Sequence, residues 1–323
     1  MLDIVPGILS VIRIGMDPDL VDAGGFVLTW HGFFTFIGVA LAVALTAHWS
    51  KKEEIEPDTV YSIAIWAILG GVIGARIVHV IDFWSRSYKH DPISIFYVWE
   101  GGIAILGAVL GGFIGGSLYL LLRNKDGVIN FWNKGLFWLG RLQKVQLPSI
   151  GRMADLTAPA LILAMAVGRI GDIINGEHIA QVTSVPWGFV YTHPQTQQLY
   201  VDLGASHLSL APSHPAVVYE MIWDVAIFGI LWFFRKRLLP HGMTFVLFLA
   251  LYSLGRFFIS FIREDRIWVV GLDEAQIISL ITMIITITLL ISKARLVKPP
   301  VRRPAAPESP TPAPVTERPG ATS

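Results

Sequence analysis

The chain contains no cysteine and little charge. None of its 323 residues is cysteine, and only 15% are Asp, Glu, Lys or Arg, against about 25% in an average soluble domain. The absence of cysteine excludes disulfides, cysteine-ligated metals and a cysteine nucleophile in this chain, and it leaves the redox compartment open. The formal net charge of +1 shows no basic excess of the kind that indicates a nucleic-acid partner. The low charge argues against a soluble protein.

Apolar residues take the place of charge. They make up 53% of the chain and lie in blocks of roughly 20 residues, long enough to cross a bilayer. We therefore predict an all-α polytopic membrane protein with about seven transmembrane helices. Residues 1–20 lack the basic start and apolar core of a cleavable signal peptide, so the first span is expected to serve as the insertion signal. The predicted spans are residues 26–49, 59–84, 101–123, 153–176, 216–234, 243–263 and 274–292.

The distribution of Lys and Arg predicts the orientation of these spans. With the N-terminus outside, 17 of the 25 Lys and Arg residues fall on inner segments, 5 on outer segments and 3 inside spans. Because cytoplasmic loops carry the excess of positive charge, we predict an outside N-terminus and a cytoplasmic C-terminus. The expected organisation is an outer N-terminal arm (1–25), a membrane domain (26–292) with a cytoplasmic amphipathic loop (124–150) and an outer cap loop (177–214), and a cytoplasmic tail (293–323).

Three segments have a composition that predicts their behaviour. The tail, with "PPVRRPAAPESPTPAPVTERPGATS", is predicted to be disordered because it cannot bury enough apolar area to fold. The inner loop contains "GLFWLGRLQKV", which is predicted to be amphipathic and to lie along the membrane surface. The third span contains "GGIAILGAVLGGFIGG", whose glycine spacing predicts close helix packing.

Polar residues at membrane depth are the main functional signal. The stretch "VGRIGDIINGEHIA" places Arg169, Asp172, Asn175 and Glu177 at the end of an apolar run, although a buried Arg costs about 2.5–3.5 kcal/mol on insertion scales. On one helix, Asp155, Arg169 and Asp172 share a face with Asn175, which is expected to point away from lipid. The alternative is an Arg169–Asp172 pair, three residues apart, that neutralises itself.

Two other spans repeat this pattern. Arg256 and Arg263 in "GRFFISFIRED" are seven residues apart and share a helix face. Arg256 has no acidic neighbour on its own helix, whereas Arg263 at the boundary is equally consistent with an interfacial arginine. Arg76, in "GARIVHVIDF", is followed by His79 and Asp82 at helical spacing, so a locally paired cluster is also consistent with the sequence.

The buried guanidinium groups predict an anionic ligand. Arg76, Arg169 and Arg256 outnumber the acids that the sequence places to neutralise them, and the planar guanidinium binds phosphate in two-point contacts. In a membrane interior the natural ligand of this kind is a phospholipid headgroup. The outer loop 177–214 contains no Lys or Arg. It suits a cap over such a site, where a second substrate arrives from outside, and it is equally consistent with an inert loop.

Five segments in register resemble the bacterial prolipoprotein diacylglyceryl transferase family. The best match is "GRIGDIINGEHIA", which aligns without gaps with the family signature G-R-x-G-N-F-x-N-G-E-x-x-G. "DLTAPA", "DPISIFYVWEGG", "SHPAVVYE" and "GRFFISFIRED" are similar to other family segments in the same order. The resemblance extends from about residue 26 to residue 292.

The resemblance implies an activity. The family joins the diacylglyceryl group of phosphatidylglycerol to the lipobox cysteine of prolipoproteins through a thioether, releases glycerol phosphate, and needs no metal or cofactor. It implies a bacterial plasma (inner) membrane protein with its active site toward the outer leaflet, whose partners are phosphatidylglycerol, prolipoprotein lipobox peptides and membrane lipid. The implied catalytic residues are Arg169, Arg256, His31 and Glu177; the implied substrate-binding residues are Arg169, Asp172, Asn175, Arg256, Arg263, His214 and Arg76.

Five positions depart from the family pattern. Leu106 replaces a histidine that is a proposed general base, and His31 replaces a tyrosine. Asp172, Ala180 and Ser260 replace Asn, Gly and Glu. These changes motivate the alternative of a catalytically weak or inactive, lipid-binding family member. A membrane transporter that uses the buried Arg and His residues is a third hypothesis, although no paired half-repeats are found.

With leucine at position 106, either another group takes the thiol proton or the thiol ionises by itself. His31 is the base that we hypothesise, because imidazole titrates near neutral pH and the first span places this residue near its outer half. The alternative is that His31 only caps a helix or binds the membrane interface. Glu177 and His214, which flank the mouth of the predicted site, are the rival candidates.

Overall fold

The computed structural model describes residues 11–24, 27–84, 88–89, 91–97, 105–202, 204–206 and 210–297, without the side chains of residues 105 and 106. The described part is mostly helical, with short strand pairs at the ends of the helices. Its helices are α1 Trp30–Ser50, α2 Pro57–Asp82, α3 Ile105–Leu122, α4 Asp126–Gly135, α5 Ile150–Asn175, α6 Pro194–Asp202, α7 Ala216–Phe234, α8 Met243–Ser260 and α9 Glu274–Lys293.

The strands pair two by two. They are β1 Ile12–Ile14, β2 Asp19–Asp22, β3 Val27–Thr29, β4 Phe189–Tyr191, β5 Leu238–Leu239, β6 Ile267–Val269, β7 Leu272–Asp273 and β8 Arg295–Leu296. β1 is parallel to β4, while β2–β3, β5–β8 and β6–β7 are antiparallel. Short 3-10 helices lie at Lys51–Glu53, Pro92–Phe96 and Phe137–Leu139.

Six of the described helices are long and apolar enough to cross a membrane: α1, α2, α5, α7, α8 and α9. They coincide with six of the seven predicted spans to within a few residues. The seventh, α3, has a shorter apolar stretch at Gly107–Leu122, and the first residues of its predicted span, 101–104, lie outside the described residues. The prediction of an all-α polytopic membrane protein is confirmed.

Helix α5 is the centre of the bundle. It packs against α1, α7 and α8, and half of its most apolar 18-residue stretch is buried, a larger share than in the other five helices. Its small residues allow this, since Ala158, Ala160 and Ala164 are nearly or fully buried among neighbouring helices. The polar end of α5 therefore lies inside the protein rather than in lipid.

Helices α2 and α3 form a separate tight pair. A Cβ atom on Gly111 would lie 2.9 Å from the Cα of Gly74 and would clash with the carbonyl oxygen of Gly70. Only glycine lets the two backbones approach this closely. The predicted packing role of the glycine-rich third span is confirmed.

The loop 177–214, predicted to be a cap, carries secondary structure of its own, β4 and α6. We refer to its described residues as the cap. Residues of the N-terminal arm pair with it, β1 lying beside β4. A small apolar core fills its interior, formed by Ile179, Phe189, Tyr191, Tyr200 and Ala205. Burial raises the pKa of Tyr200 to about 12. The described residues of the cap contact the end of α5, where the Tyr191 hydroxyl donates to the carbonyl of Ile173 and that of Thr196 to the carbonyl of Asn175.

Two segments at the other end have structure that the sequence did not specify. The helix of the 124–150 loop is α4, whereas most of the "GLFWLGRLQKV" stretch runs beside it without helix. Side-chain amides hold this stretch: Asn133 pairs with the backbone of Leu142 and Asn124 with that of Val145. At the start of the predicted tail, β8 is ordered against β5; the tail from residue 298 onward lies outside the described residues.

Candidate active site

Arginines from two helices meet one glutamate at the capped end of the bundle. Arg169 on α5 places Nη2 2.7 Å from Oε2 of Glu220 on α7, and Arg256 on α8 donates from Nη1 to Oε1 of the same carboxylate at 2.5 Å. Only 4% of Glu220 is exposed. One buried carboxylate therefore bridges two guanidinium groups that come from different helices. Both contacts are charge-assisted, and guanidinium groups bind phosphate as well as carboxylate oxygens in this way.

A second carboxylate holds the next arginine. Arg263, after the end of α8, donates from Nε to Oδ2 of Asp265 at 2.7 Å and from Nη2 to Oδ1 at 3.3 Å. Arg256 lies 3.7 Å from the same Oδ2, and Arg263 Nη1 lies 3.7 Å from Glu220. Burial raises the pKa of Asp265, but the hydrogen bond and charge of Arg263, with the charge of Arg256, outweigh this and lower it. Asp265 thus stays ionised as the pH falls below neutral.

The predicted excess of buried positive charge is wrong for Arg169 and Arg256. Arg169 also donates from Nη1 to Asp172 Oδ2 at 3.0 Å, so every arginine of the site has a carboxylate partner, and the alternative of an Arg169–Asp172 pair is confirmed. Sequence spacing did not indicate the other two partners, because Glu220 lies on another helix and Asp265 in the loop after α8. We refer to the six residues together as the arginine cluster: Arg169, Arg256, Arg263, Asp172, Glu220 and Asp265.

Asp172 connects the cluster to two histidines. His31 Nδ1 forms a short hydrogen bond with Asp172 Oδ1, and His178 Nε2 lies 3.3 Å from Oδ2. The first turn of α1 carries His31, since Thr29 Oγ1 accepts from the N–H of Gly32 and starts that helix. The approach depends on Gly171, where a Cβ would lie 2.6 Å from the Cα of His31.

The turn after α5 holds the remaining signature residues. Asn175 donates from Nδ2 to Glu177 Oε1 at 2.8 Å and accepts the backbone N–H of His31 at 3.3 Å. Between them, Gly176 ends α5 with φ +71°, a conformation that favours glycine. Asn175 and Glu177 also form one wall of a cavity of about 170 Å³, which Asp19 of the arm and Gln195 of α6 line on the cap side.

Two predicted site residues have their described contacts elsewhere. His214 Nδ1 lies 3.4 Å from the hydroxyl of Tyr219, which also accepts from Nε1 of Trp187 at 2.8 Å; this group belongs to the cap at the start of α7. Arg76 donates from Nε to the carbonyl of Ile95 at 2.8 Å and lies over the ring of Tyr88.

Several residues of the site were not among the predicted ones. Glu220, His178 and Asp265 carry or orient the charges of the cluster. Asp224, one turn after Glu220 on α7, is 1% exposed. An available signal was the pair of acids at positions 220 and 224 in an otherwise apolar span, whose spacing of four puts them on one face.

Some departures from the family pattern are neighbours in space. His31 and Asp172 replace Tyr and Asn, and the two contact each other directly. Ala180 pairs with Arg263 in an isolated bridge, while the hydroxyl of Ser260 is buried and has no hydrogen-bond partner among the described residues. The side chain of Leu106 lies outside the described part of the chain. In that part, no group of three or more His, Asp and Glu side chains is placed to hold a metal ion.

The fold and the site define a polytopic helical membrane protein with a buried cluster of three arginines and three carboxylates at one end of its bundle. The sequence profile of prolipoprotein diacylglyceryl transferase matches residues 18–137 and 134–292. The phosphatidylglycerol–prolipoprotein diacylglyceryl transferase of Trichormus variabilis is 33% identical over 281 residues, covering 84% of this chain and 88% of that protein. The protein of the same name from Clostridioides difficile is 34% identical over 260 residues, covering 80% and 88%. The chain belongs to the prolipoprotein diacylglyceryl transferase family.

Proposed function

We propose that this chain is a transferase that joins the diacylglyceryl group of phosphatidylglycerol to the cysteine thiol of a prolipoprotein lipobox. The product is a thioether, glycerol phosphate is released, and lipoprotein maturation begins with this step. Family membership and the names of the relatives support the reaction. The buried anion site supports it independently, since phosphatidylglycerol carries one phosphodiester at the polar edge of the bilayer.

The observation that carries the proposal is the shared carboxylate of Glu220. Arg169 and Arg256 contact its two oxygens at 2.7 and 2.5 Å, so both guanidinium groups already face one oxyanion position. A phosphodiester at this position receives contacts from two helices. As the carbon–oxygen bond breaks, negative charge grows on the phosphate, and preorganised donors stabilise that charge more than they stabilise the bound lipid.

The neighbouring residues provide the rest of the proposed site. Arg263 adds positive charge at the edge of the phosphate position, and Asp172 orients Arg169. Asn175 and Glu177 face the cavity under the cap, where the glycerol headgroup or the lipobox peptide has room. His214 and Arg76, whose contacts lie outside the cluster, are proposed to act on substrate access rather than on the phosphate.

We also propose the orientation of the site. The capped end carries the segments that contain few basic residues, whereas the opposite end carries the lysines and arginines of loop 124–150 and of the tail. This distribution supports a bacterial plasma membrane location with the cap and cluster toward the outer leaflet. Prolipoproteins exported across that membrane would then meet the cap.

Complementation tests the function. The gene is expressed in a bacterium depleted of its own transferase, and lipoproteins are analysed by mass spectrometry for the added diacylglyceryl group. Full modification by the wild type, and none by Arg169→Ala, is the expected result. A wild-type protein that accumulates in the membrane and leaves every lipobox thiol unmodified would instead indicate a lipid-binding family member without turnover.

A further inference from the structure

Glu220 occupies the position that the substrate needs. Its two carboxylate oxygens contact Arg169 and Arg256, the same groups to which we assign the phosphate. Both cannot hold these guanidinium groups at once. A bound phosphodiester must therefore displace Glu220, and the buried carboxylate then loses the charges that stabilise its ionised form.

Displacement of Glu220 by a phosphodiester changes the net charge of the arginine cluster. Three arginines face three carboxylates, so the cluster is neutral when the histidines are neutral. Adding a phosphodiester leaves one excess negative charge in a buried site, which is unfavourable. The excess charge favours transfer of a proton to one carboxylate of the site, and the lipobox thiol is the donor. Glu220 is that carboxylate, because it is the one whose partners the phosphate takes.

The surroundings of Glu220 suit a neutral carboxyl group. Asp224, one turn further along α7, has a buried Oδ2 with no hydrogen-bond partner among the described residues, and it can accept from a protonated neighbour. A cavity of about 10 Å³, roughly the room for one water, lies between Glu220, Asp224 and Tyr252. These groups, together with His178 and Arg263, are the other titratable or charged side chains that face Glu220.

We propose that Glu220 holds the place of the substrate phosphate in the free enzyme and, once displaced, carries the thiol proton to the leaving phosphate. This inference rests on the proposed transferase function. The lipobox thiol gives its proton to the Glu220 carboxylate, and sulfur forms its bond to the glycerol carbon of the diacylglyceryl group. The bond from that carbon to the phosphate oxygen breaks, its electron pair leaves with the phosphate, and the phosphate takes the proton from Glu220.

The step balances without a further reactant. One thiol and one phosphodiester are consumed, and one thioether and one glycerol phosphate are formed. Glu220 returns to its ionised state and regains Arg169 and Arg256 as the product leaves. Glu220 is in this scheme a catalytic residue, and Asp224 is a positioning residue that accepts a hydrogen bond from the protonated Glu220 carboxyl group.

The test compares Glu220→Gln with wild type in the full-length protein reconstituted in lipid. Gln keeps the shape of Glu but carries neither the charge nor the proton. Transfer to a lipobox peptide at neutral pH should fall at least about 100-fold, the low end of general-base contributions. It should recover partly above pH 9, because the thiol, with a pKa of about 8.5, then ionises unaided. Affinity for glycerol phosphate should be unchanged or higher, since the competing carboxylate is gone.

The matched control removes another buried carboxylate. Asp155→Asn, at the opposite end of α5, changes an acid that accepts the N–H groups of Gly242 and Phe245 and should keep transfer within about threefold. Wild-type transfer by Glu220→Gln at neutral pH, or weaker binding of glycerol phosphate, would overturn the inference. So would a Glu220→Gln protein that stays unfolded when glycerol phosphate is present, because phosphate should replace the lost carboxylate.

The proposed transferase function and the role of Glu220 can be refuted separately. If the wild type transfers no diacylglyceryl group, the proposed function fails regardless of Glu220. If the wild type is active and Glu220→Gln has the same activity and pH profile, only the role of Glu220 is wrong. Thermal unfolding with added glycerol phosphate provides a readout apart from activity. Glycerol phosphate should raise the unfolding temperature of Glu220→Gln more than that of the wild type.

Discussion

Replacing Arg169 by lysine keeps the positive charge but removes the planar guanidinium group with its several nitrogens. The Arg169 guanidinium uses two different nitrogens, with Nη1 3.0 Å from Asp172 and Nη2 2.7 Å from Glu220. Lysine has a single nitrogen and cannot serve both carboxylates in these positions. One buried acid, or the substrate phosphate that replaces it, is left without its partner.

The expected magnitudes follow from these contacts. Breaking a buried ion pair completely costs about 3–5 kcal/mol; lysine keeps one of the two contacts, so about 2 kcal/mol of stability should be lost. Loss of one donor to an oxyanion in the transition state lowers kcat by about 100-fold or more. Arg169→Lys should therefore be folded but nearly inactive, and only slightly better than Arg169→Ala.

The assay separates stability from catalysis. Initial rates of diacylglyceryl transfer to a lipobox peptide are measured at saturating phosphatidylglycerol, and thermal unfolding is followed in the same preparation. Arg235→Lys is the matched control, because Arg235 stacks on Trp232 at the opposite end of α7, with 3.7 Å between its guanidinium carbon and the ring centroid. A transfer rate for Arg169→Lys above a tenth of wild type would refute the two-point role of this arginine.

Three other predictions test packing, orientation and the role of a histidine. Gly111→Leu should separate α2 from α3 and sharply reduce the amount of folded protein in detergent, whereas Val109→Leu, at an exposed position of α3, should have no such effect. Ser206→Cys should react with a membrane-impermeant thiol reagent from outside and Ser309→Cys should not; labelling of both in intact cells would contradict the proposed orientation. His31→Gln should lower transfer equally across pH if His31 only orients Asp172, and a loss confined to neutral pH would make His31 the base.

Much of the architecture was predictable from sequence because the bilayer constrains it. Hydrocarbon leaves helices as the only spanning structure for these apolar blocks, so length and hydropathy locate α1, α7 and α9 within a few residues. The glycine spacing in α3 likewise predicted close helix packing, which the structure shows with α2, because glycine has no side chain and lets two helix backbones approach each other closely. Structure that the sequence did not specify lies outside the membrane blocks, in α4 and at β8, where no periodic pattern constrains the chain.

The site itself was predictable only in part. Local spacing identified Arg169, Asp172 and Arg256 as buried polar groups at one end of the bundle, because a charge inside an apolar run needs a reason wherever it occurs. Sequence alone did not determine which acids neutralise them. Asp265 reaches Arg256 and Arg263 from the loop after α8. Glu220 reaches Arg169 and Arg256 across helix interfaces, and these pairs depend on how α5, α7 and α8 rotate and pack against each other. That rotation is decided by side-chain packing over the whole bundle, which is why one carboxylate shared by two arginines could be found only in the tertiary structure.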